Sequence, residues 1–320
     1  MGVRGGQLWA ITSYFNPVGF ARRLANYRIF RERLNVPLLT VELARSPDKL
    51  QLRDADADIL IQIVGEDLLW QKERLLNMGL QALPQACRAI AWLDCDIVFE
   101  RDDWGHALTD ALDRFALVQP FATFSELSAD AQFQNGHPPT ATLGEGHSVA
   151  YKLATGATVD QLFQPGKGNR LKSGRTLGMG WAARRDLLER HGFYDACILG
   201  SGDKAMVLAA LGRFELSRSL DMNARQTAHY LAWAQPFFEA VHANIGNVDG
   251  RVYHLWHGDL KDRSHRLRHV HFARFGFDPF VDITLAPSGC WRWTVDKPEL
   301  RAYMQEYFES RNEDGTRPRA

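Results

Sequence analysis

One stretch constrains this chain more than any other: Ala89-Ile90-Ala91-Trp92-Leu93-Asp94-Cys95-Asp96-Ile97-Val98-Phe99. It reads as an apolar, buried strand ending in two acids. On an extended chain Leu93, Cys95 and Ile97 lie on one side, and Asp94 and Asp96 on the other. Two carboxylates on one edge of a buried strand repel each other unless a cation holds them, and hard oxygen ligands suit Mg²⁺ or Mn²⁺. The plainer reading is a strand end whose acids face water or cap the next turn, since Asp-x-Asp arises often by chance. Context has to decide between the two.

The segments around this stretch alternate. Leu8 to Ser13 reads as a strand, Asn16-Pro17 and Gly19 as a turn, Phe20 to Leu34 as a helix and Pro37 to Leu43 as a second strand. Asp58 to Val64 is a near-continuous apolar run, expected to be a strand buried on both faces. Leu68 to Ala82 has helical spacing and ends at Pro84. A further helix runs from Asp102 or Asp103 to Arg114, and a strand from Ala116 to Pro120. This rhythm predicts an α/β domain with a mixed, mostly parallel sheet flanked by helices.

After Phe121 periodicity fades, and residues 125 to 176 read as irregular. Gln164 to Arg175 carries Lys167, Arg170, Lys172 and Arg175 among glycines, either a solvated loop or a basic flap over a phosphorylated ligand. Order returns at Gly178-Met179-Gly180-Trp181, followed by an expected helix from Ala182 to Arg190. Leu199-Gly200-Ser201-Gly202-Asp203 opens a helix to Leu211. Asn223 to Ala243 is helical around Pro236, Arg251 to His257 is a short strand, and Pro298 to Arg311 is a last helix before a frayed tail, Asn312 to Ala320.

Composition excludes several classes. At 320 residues, 45% hydrophobic and 24% charged, the chain can bury a large core. Lys+Arg and Asp+Glu are both 38, which gives no bulk charge for nucleic acid or an anionic membrane. Four cysteines lie far apart with no Cys-x-x-Cys and read as free thiols. With no run near the ~20 apolar residues of a membrane span and no signal-peptide pattern, the expectation is a cytoplasmic protein with no integral membrane segment.

Ligands of an open α/β sheet bind at the carboxyl ends of its strands, which is where Asp94 and Asp96 fall. Asp54-Ala55-Asp56-Ala57-Asp58 precedes its strand and so lies at the wrong edge. His265, His269 and His271 sit in an Arg-rich segment without matching cysteines and read as a solvated helix. His254 and His257 follow a strand. If that strand continued, their rings would face opposite ways, one completing a metal site and the other meeting an anion. Asp203, after Gly-Ser-Gly, sits at a helix start as a general base or as a plain cap.

The order Asp94-Cys95-Asp96, Gly180-Trp181-Ala182, Gly200-Ser201-Gly202-Asp203 and Val252-Tyr253-His254 resembles the GT-A class of nucleotide-sugar glycosyltransferases. Its nearest patterns are the β-1,4-galactosyltransferase C-terminal region, the polypeptide N-acetylgalactosaminyltransferases and bacterial polysaccharide glycosyltransferases. The resemblance implies a domain over residues 1–275, with a donor half near 8–121 and an acceptor half near 177–260, and a C-terminal helical extension over 276–320. It implies that Asp96 and His254 bind Mn²⁺ or Mg²⁺, and that Asp94, Lys72, Arg74, Asn77, Trp181, Gly202 and His257 bind substrate. It also implies that Asp203 takes the place of the acids that bind the acceptor or deprotonate it, although Lys204 stands where those enzymes carry a second acid. The implied donor is a UDP-sugar, the acceptor a glycan or lipid-linked hydroxyl, and the outcome inversion. Two rivals stay open: a sugar-1-phosphate nucleotidyltransferase, and a glycan-binding module without activity.

Overall fold

The computed structural model describes residues 7–65, 67–133, 139–163, 173–259, 262 and 267–316. Strand β1 (Leu8–Phe15) and strand β4 (Ala89–Leu93) are neighbours in the middle of a seven-stranded sheet. Beside β1 lie β2 (Leu38–Ala44) and then β3 (Ile59–Val64). Beside β4 lie β10 (Gly180–Arg184), β6 (Leu117–Gln119) and β11 (Ile245–Asn247). Neighbouring strands run parallel, except that β10 is antiparallel to both β4 and β6.

Strand β10 corrects the helix expected from Ala182. Trp181 pairs with Trp92, Ala182 with Ala91 and Ala183 with Ile90. Alanine favours helices in isolation, but a slot between two buried strands overrides that local preference. The helix α6 (Arg185–His191) starts only once the strand has crossed the sheet. The apolar run of β3 is corrected too: β3 is the sheet edge, with Val64 39% exposed, rather than a strand covered on both faces.

Alternation along β4 divides the core. Ile90 and Trp92 face one cluster with α2 (Lys72–Ala82), α6, α7 (Gly202–Ala210) and α8 (Ala224–Val241). Ala89, Ala91 and Leu93 face the other, with α1 (Ala21–Arg33) and α3 (Trp104–Leu112). The helix read as starting at Leu68 begins at Lys72, with Trp70 tied through its amide to Ile198 O at 3.0 Å. Asn223 caps α8 reciprocally with Gln226, and Pro236 is accommodated inside that helix.

A second, five-stranded sheet runs β5 (Ile97–Phe99), β12 (Arg251–His254), β7 (Thr123–Leu127), β8 (Thr142–Ser148) and β9 (Arg175–Thr176). With α4 (Val149–Ala154) and α5 (Val159–Leu162), these strands correct the irregular reading of 125–176. Residues 164–172 of the expected basic flap lie outside the described residues. The hairpin β13 (Ile283–Leu285) and β14 (Trp291–Trp293), with α9 (Leu267–Ala273) and α10 (Pro298–Ser310), close a third cluster over Leu69, Ile198 and Leu199.

The described part of the tail is not frayed. Asp314 accepts from the amides of Ala21 and Arg22 at 3.1 and 2.7 Å, which satisfies the start of α1. Glu313, 1% exposed, pairs with Arg23 at 3.1 Å and Arg311 at 2.7 Å. The segment is polar by sequence and becomes ordered because its acids meet buried cations and orphan amides. All four cysteines are buried and free, and no helix among the described residues is long and apolar enough to cross a membrane.

Trp181, which the resemblance placed on the substrate, is fully buried in the core, with its indole N–H on Leu177 O at 2.8 Å. Trp181→Ala is therefore expected to cost about 3–5 kcal/mol of stability, the usual range for deleting a large buried aromatic. Urea unfolding checks it; a variant of unchanged stability that loses ligand binding alone would contradict the core assignment.

Candidate active site

The strand read through Asp94 and Asp96 stops at Leu93. The chain turns at residues 94–96 and re-enters the second sheet as β5. The two acids therefore do not share one face of a strand. They diverge into two neighbouring clusters at the carboxyl end of the parallel strands. Thr12 Oγ1 donates to Leu93 O at 2.7 Å, fixing the last residue of β4. The amide of Asp94 donates to Met179 O at 2.9 Å, and the amide of Met179 donates back to Asp94 Oδ2 at 3.1 Å. Met179 has φ +77°, a conformation that costs a non-glycine residue roughly 1–3 kcal/mol. The reciprocal bonds hold it there.

Asp96 faces two histidines. His254 Nε2 lies 3.5 Å from Asp96 Oδ1, and His257 Nε2 lies 3.1 Å from Asp96 Oδ2. The two rings are 5.1 Å apart, and one ligand atom from each of the three residues falls within 4.8 Å of the others. The expectation that the rings face opposite ways is overturned, because β12 ends at His254. The amide of Leu255 donates to Asp96 O at 2.8 Å, and the chain then leaves extended geometry and brings His257 round. Glu126, buried on β7, meets His254 Nδ1 at 3.0 Å and orients the ring. Glu313 stands 3.8 Å from His257 Nδ1. Burial alone would raise Glu313, but Arg23 and Arg311 hold its carboxyl well below the usual range, so it stays ionised behind the histidine.

Asp94 belongs to the second cluster. Lys72 Nζ lies 2.6 Å from Asp94 Oδ1 and 3.1 Å from Asp203 Oδ2, bridging the turn after β4 to the start of α7. Burial opposes the charge of Lys72, yet Asp203 and then Asp94 hold its ammonium well above the usual lysine range. Burial pushes Asp94 upward, but Lys72 outweighs it and keeps the carboxyl low. At Asp203 burial and the charge of Asp94 prevail over Lys72 and raise the carboxyl. A Cβ on Gly178 would sit 3.0 Å from Asp203 Oδ2 and 3.8 Å from Asp94 Oδ2, so this glycine leaves room for both acids. One on Gly202 would sit 2.0 Å from Glu73 Oε1. Gly202 thus serves the site by admitting a buried carboxyl beneath the first turn of α7.

A cleft of about 890 Å³ takes in Asp94, Asp96, His254, His257, Lys72 and Asp203. Two residues assigned by resemblance lie elsewhere. Arg74 reaches Gly289 O at 2.7 Å and Asp195 at 3.3 Å. Asn77 bonds Phe193 O at 3.0 Å, the Phe193 amide at 2.7 Å and Asp195 at 3.1 Å. Both stitch α2 to the segment after α6 instead of facing the cleft. The rival Asp54–Asp58 cluster is spent on structure, with Asp56 accepting from the Arg53 amide at 2.8 Å and Asp58 from the Leu38 amide at 2.8 Å. Glu126, Glu73, Arg23, Glu313 and Arg268 were not picked out from the sequence. His269, read as solvated, is 9% exposed and bonded to Ser201 Oγ at 2.8 Å. No spacing signal marks these residues, since they come to the site from elements scattered along the chain: α1, α2, β7, α9 and the segment after α10.

No protein-family model and no curated protein matches the chain. Several solved structures are similar to it. One is a glucosyl-3-phosphoglycerate synthase from Mycobacterium tuberculosis in complex with Mn²⁺, UDP-glucose and phosphoglyceric acid, at 12% identity over 93% of this chain and 91% of that one, TM-score 0.41. Another is a mannosyltransferase from Pyrobaculum calidifontis in complex with GDP-Man and Mn²⁺, at 12% identity over 97% and 70%, TM-score 0.39. A third is a 4-diphosphocytidyl-2C-methyl-D-erythritol synthase from Anaerococcus prevotii, at 11% identity over 76% and 86%, TM-score 0.31.

Burial lifts Glu73 to about 8 from an ordinary 4.5, with Asp203 adding to the rise and Lys72 opposing it. A carboxyl raised on folding stabilises the fold in its protonated form. That contribution is complete below about pH 4.5, erodes above it and is gone once the pH passes about 8. The wild type is therefore expected to lose stability between pH 5 and pH 8, and Glu73→Gln, which keeps the neutral shape, to lose less. Denaturant midpoints of both proteins at the two pH values check this; parallel slopes would refute it.

Proposed function

We propose that this chain is a metal-dependent, GT-A-like glycosyltransferase that moves a sugar from a nucleotide-sugar donor, a UDP-sugar by the resemblance, to a hydroxyl acceptor with inversion. One observation carries the reading. A single cleft at the carboxyl end of the sheet holds an imidazole–carboxylate trio and, across Lys72, a separate carboxylate, Asp203. The trio fits a divalent ion. Asp96 Oδ1 is buried and makes no hydrogen bond among the described residues, while both Nε2 atoms converge on the same carboxylate. Two imidazoles with one carboxylate form a mixed donor set better matched to Mn²⁺ than to the all-oxygen preference of Mg²⁺. Asp96, His254 and His257 would hold that ion, which supplies positive charge for a leaving diphosphate.

The remaining roles belong to side chains. Glu126 fixes the His254 ring so that Nε2 is presented to the cleft. Lys72 orients Asp203 and balances its charge against Asp94. The raised carboxyl of Asp203 makes it a stronger base than a solvated aspartate, suited to accept the proton of an acceptor hydroxyl. A base on the acceptor side of the sugar, opposite the departing diphosphate, is the arrangement that inversion requires.

Asp96→Asn and His254→Ala are each expected to weaken Mn²⁺-dependent UDP binding by more than about 10-fold, since losing even a residue that only orients a metal ligand costs about 10- to 100-fold, while leaving the fold intact. Calorimetric titration with and without Mn²⁺, alongside a melt, checks both. Asp203→Asn is expected to lower turnover about 10²–10⁴-fold with UDP and Mn²⁺ binding nearly unchanged. Full transfer by that variant at saturating acceptor would remove the base assignment. Release of pyrophosphate from a nucleoside triphosphate and a sugar phosphate would replace the reading with nucleotidyl transfer.

A further inference from the structure

Three cations line the cleft beside Asp203 with no carboxylate paired to them among the described residues. Lys204 follows Asp203 in the first turn of α7, and its ammonium donates to Ser219 O at 3.2 Å. Arg268, 7% exposed on α9, spends its bonds on uncharged groups: the Tyr307 hydroxyl at 2.7 Å, Ser201 Oγ at 2.9 Å and His269 Nε2 at 3.3 Å. Arg175, on β9, has a buried Nε with no hydrogen-bond partner among the described residues. Asp221, which also lines the cleft, is the carboxylate that draws on Lys204, but it does not come within ion-pair distance. Burial, then Arg268 and Lys204, push His269 down to about 3, so it stays neutral. Burial also brings Lys204 down to about 8 against the pull of Asp221, with Arg175 and Arg268 adding to the drop. The carboxylate next to Lys204 in sequence, Asp203, is already paired with Lys72.

Cations taken out of water without a counter-ion are costly to hold, and an oxyanion placed among them relieves that cost through charge-assisted hydrogen bonds. Ser201 explains how the group is built. Its backbone is left-handed, φ +78°, and its Oγ meets Arg268 and His269 and makes no cap bond to the amides of α7. We propose that Arg175, Lys204 and Arg268 form an oxyanion subsite for the acceptor, which carries a phosphate or carboxylate beside the hydroxyl that reacts. The inference rests on the glycosyl-transfer reading and narrows its acceptor to an anionic one. Adjacency to Asp203, the residue assigned to the acceptor, places the anion on the acceptor and not on the donor diphosphate.

Inorganic phosphate, without metal or nucleotide, is the direct probe. It is expected to raise the melting temperature of the wild type in a saturable way. Arg175→Gln and Lys204→Gln should each weaken that effect at least about ten-fold, while Arg175→Lys retains most of it. The shift produced by UDP with Mn²⁺ should be the same in all four proteins, and the phosphate shift should persist when UDP and Mn²⁺ are saturating. Loss of the phosphate shift under UDP and Mn²⁺ would assign these cations to the donor and overturn the proposal, as would a shift that ignores both Gln substitutions. With UDP and Mn²⁺ present, glycerol 3-phosphate and glycerate should protect and glycerol should not. Protection by phosphatidic acid vesicles in place of the soluble anions would support the same subsite with a lipid-borne source. Absence of any UDP and Mn²⁺ effect would count against glycosyl transfer itself, separately from the phosphate result.

Discussion

The ammonium of Lys72 is the interaction on which the site depends. Asp94 and Asp203 converge on the same small space beside Gly178, one from the turn after the central strand and one from the first turn of a helix more than a hundred residues later. Unpaired, two partly buried carboxylates at that spacing would drive each other toward protonation. A lysine at 2.6 Å from one and 3.1 Å from the other permits both, and divides their properties: Asp94 is held low, while Asp203 is lifted. The same residue docks the start of α2 against the strand ends. Packing of the helix and charge balance of the cleft are therefore one event.

Around that bridge, buried polar side chains hold groups at the junction of two sheets. The turn at residues 94–96 passes the chain from the seven-stranded sheet to the five-stranded one, and the short β12 ends there. Glu126 fixes one histidine from beneath. The tail fixes the surroundings of the other, because Glu313 is clamped by Arg23 from α1 and by Arg311 after α10. A segment distant in sequence thus forms the back wall of the proposed metal site, and Asp314 beside it completes the hydrogen bonding of α1. Buried acids of this kind are tolerable only because each meets cations or backbone donors.

Local pattern determined a good part of this protein. The strand cores of β1, β2 and β4, helices α1 and α8 and the helix opening at Gly202 follow from hydrophobic periodicity and turn residues that any context would read alike. The acids at the end of β4, the pair His254 and His257, and Asp203 were legible as candidates, because strand ends and helix starts are where such groups can be presented. Only the tertiary structure decided what they do to each other. It broke the supposed continuous strand at Leu93, so that Asp94 and Asp96 serve different partners, and it turned His257 back onto Asp96 because β12 stops at His254. It made Gly180-Trp181-Ala182-Ala183 a strand, since a slot between β4 and β6 outweighs the helical preference of alanine. It sent Arg74, Asn77 and Trp181 into packing, and it brought Arg268, His269 and Glu313 to the cleft. Charge pairing and burial depend on which surfaces meet, and no spacing along a chain encodes that meeting.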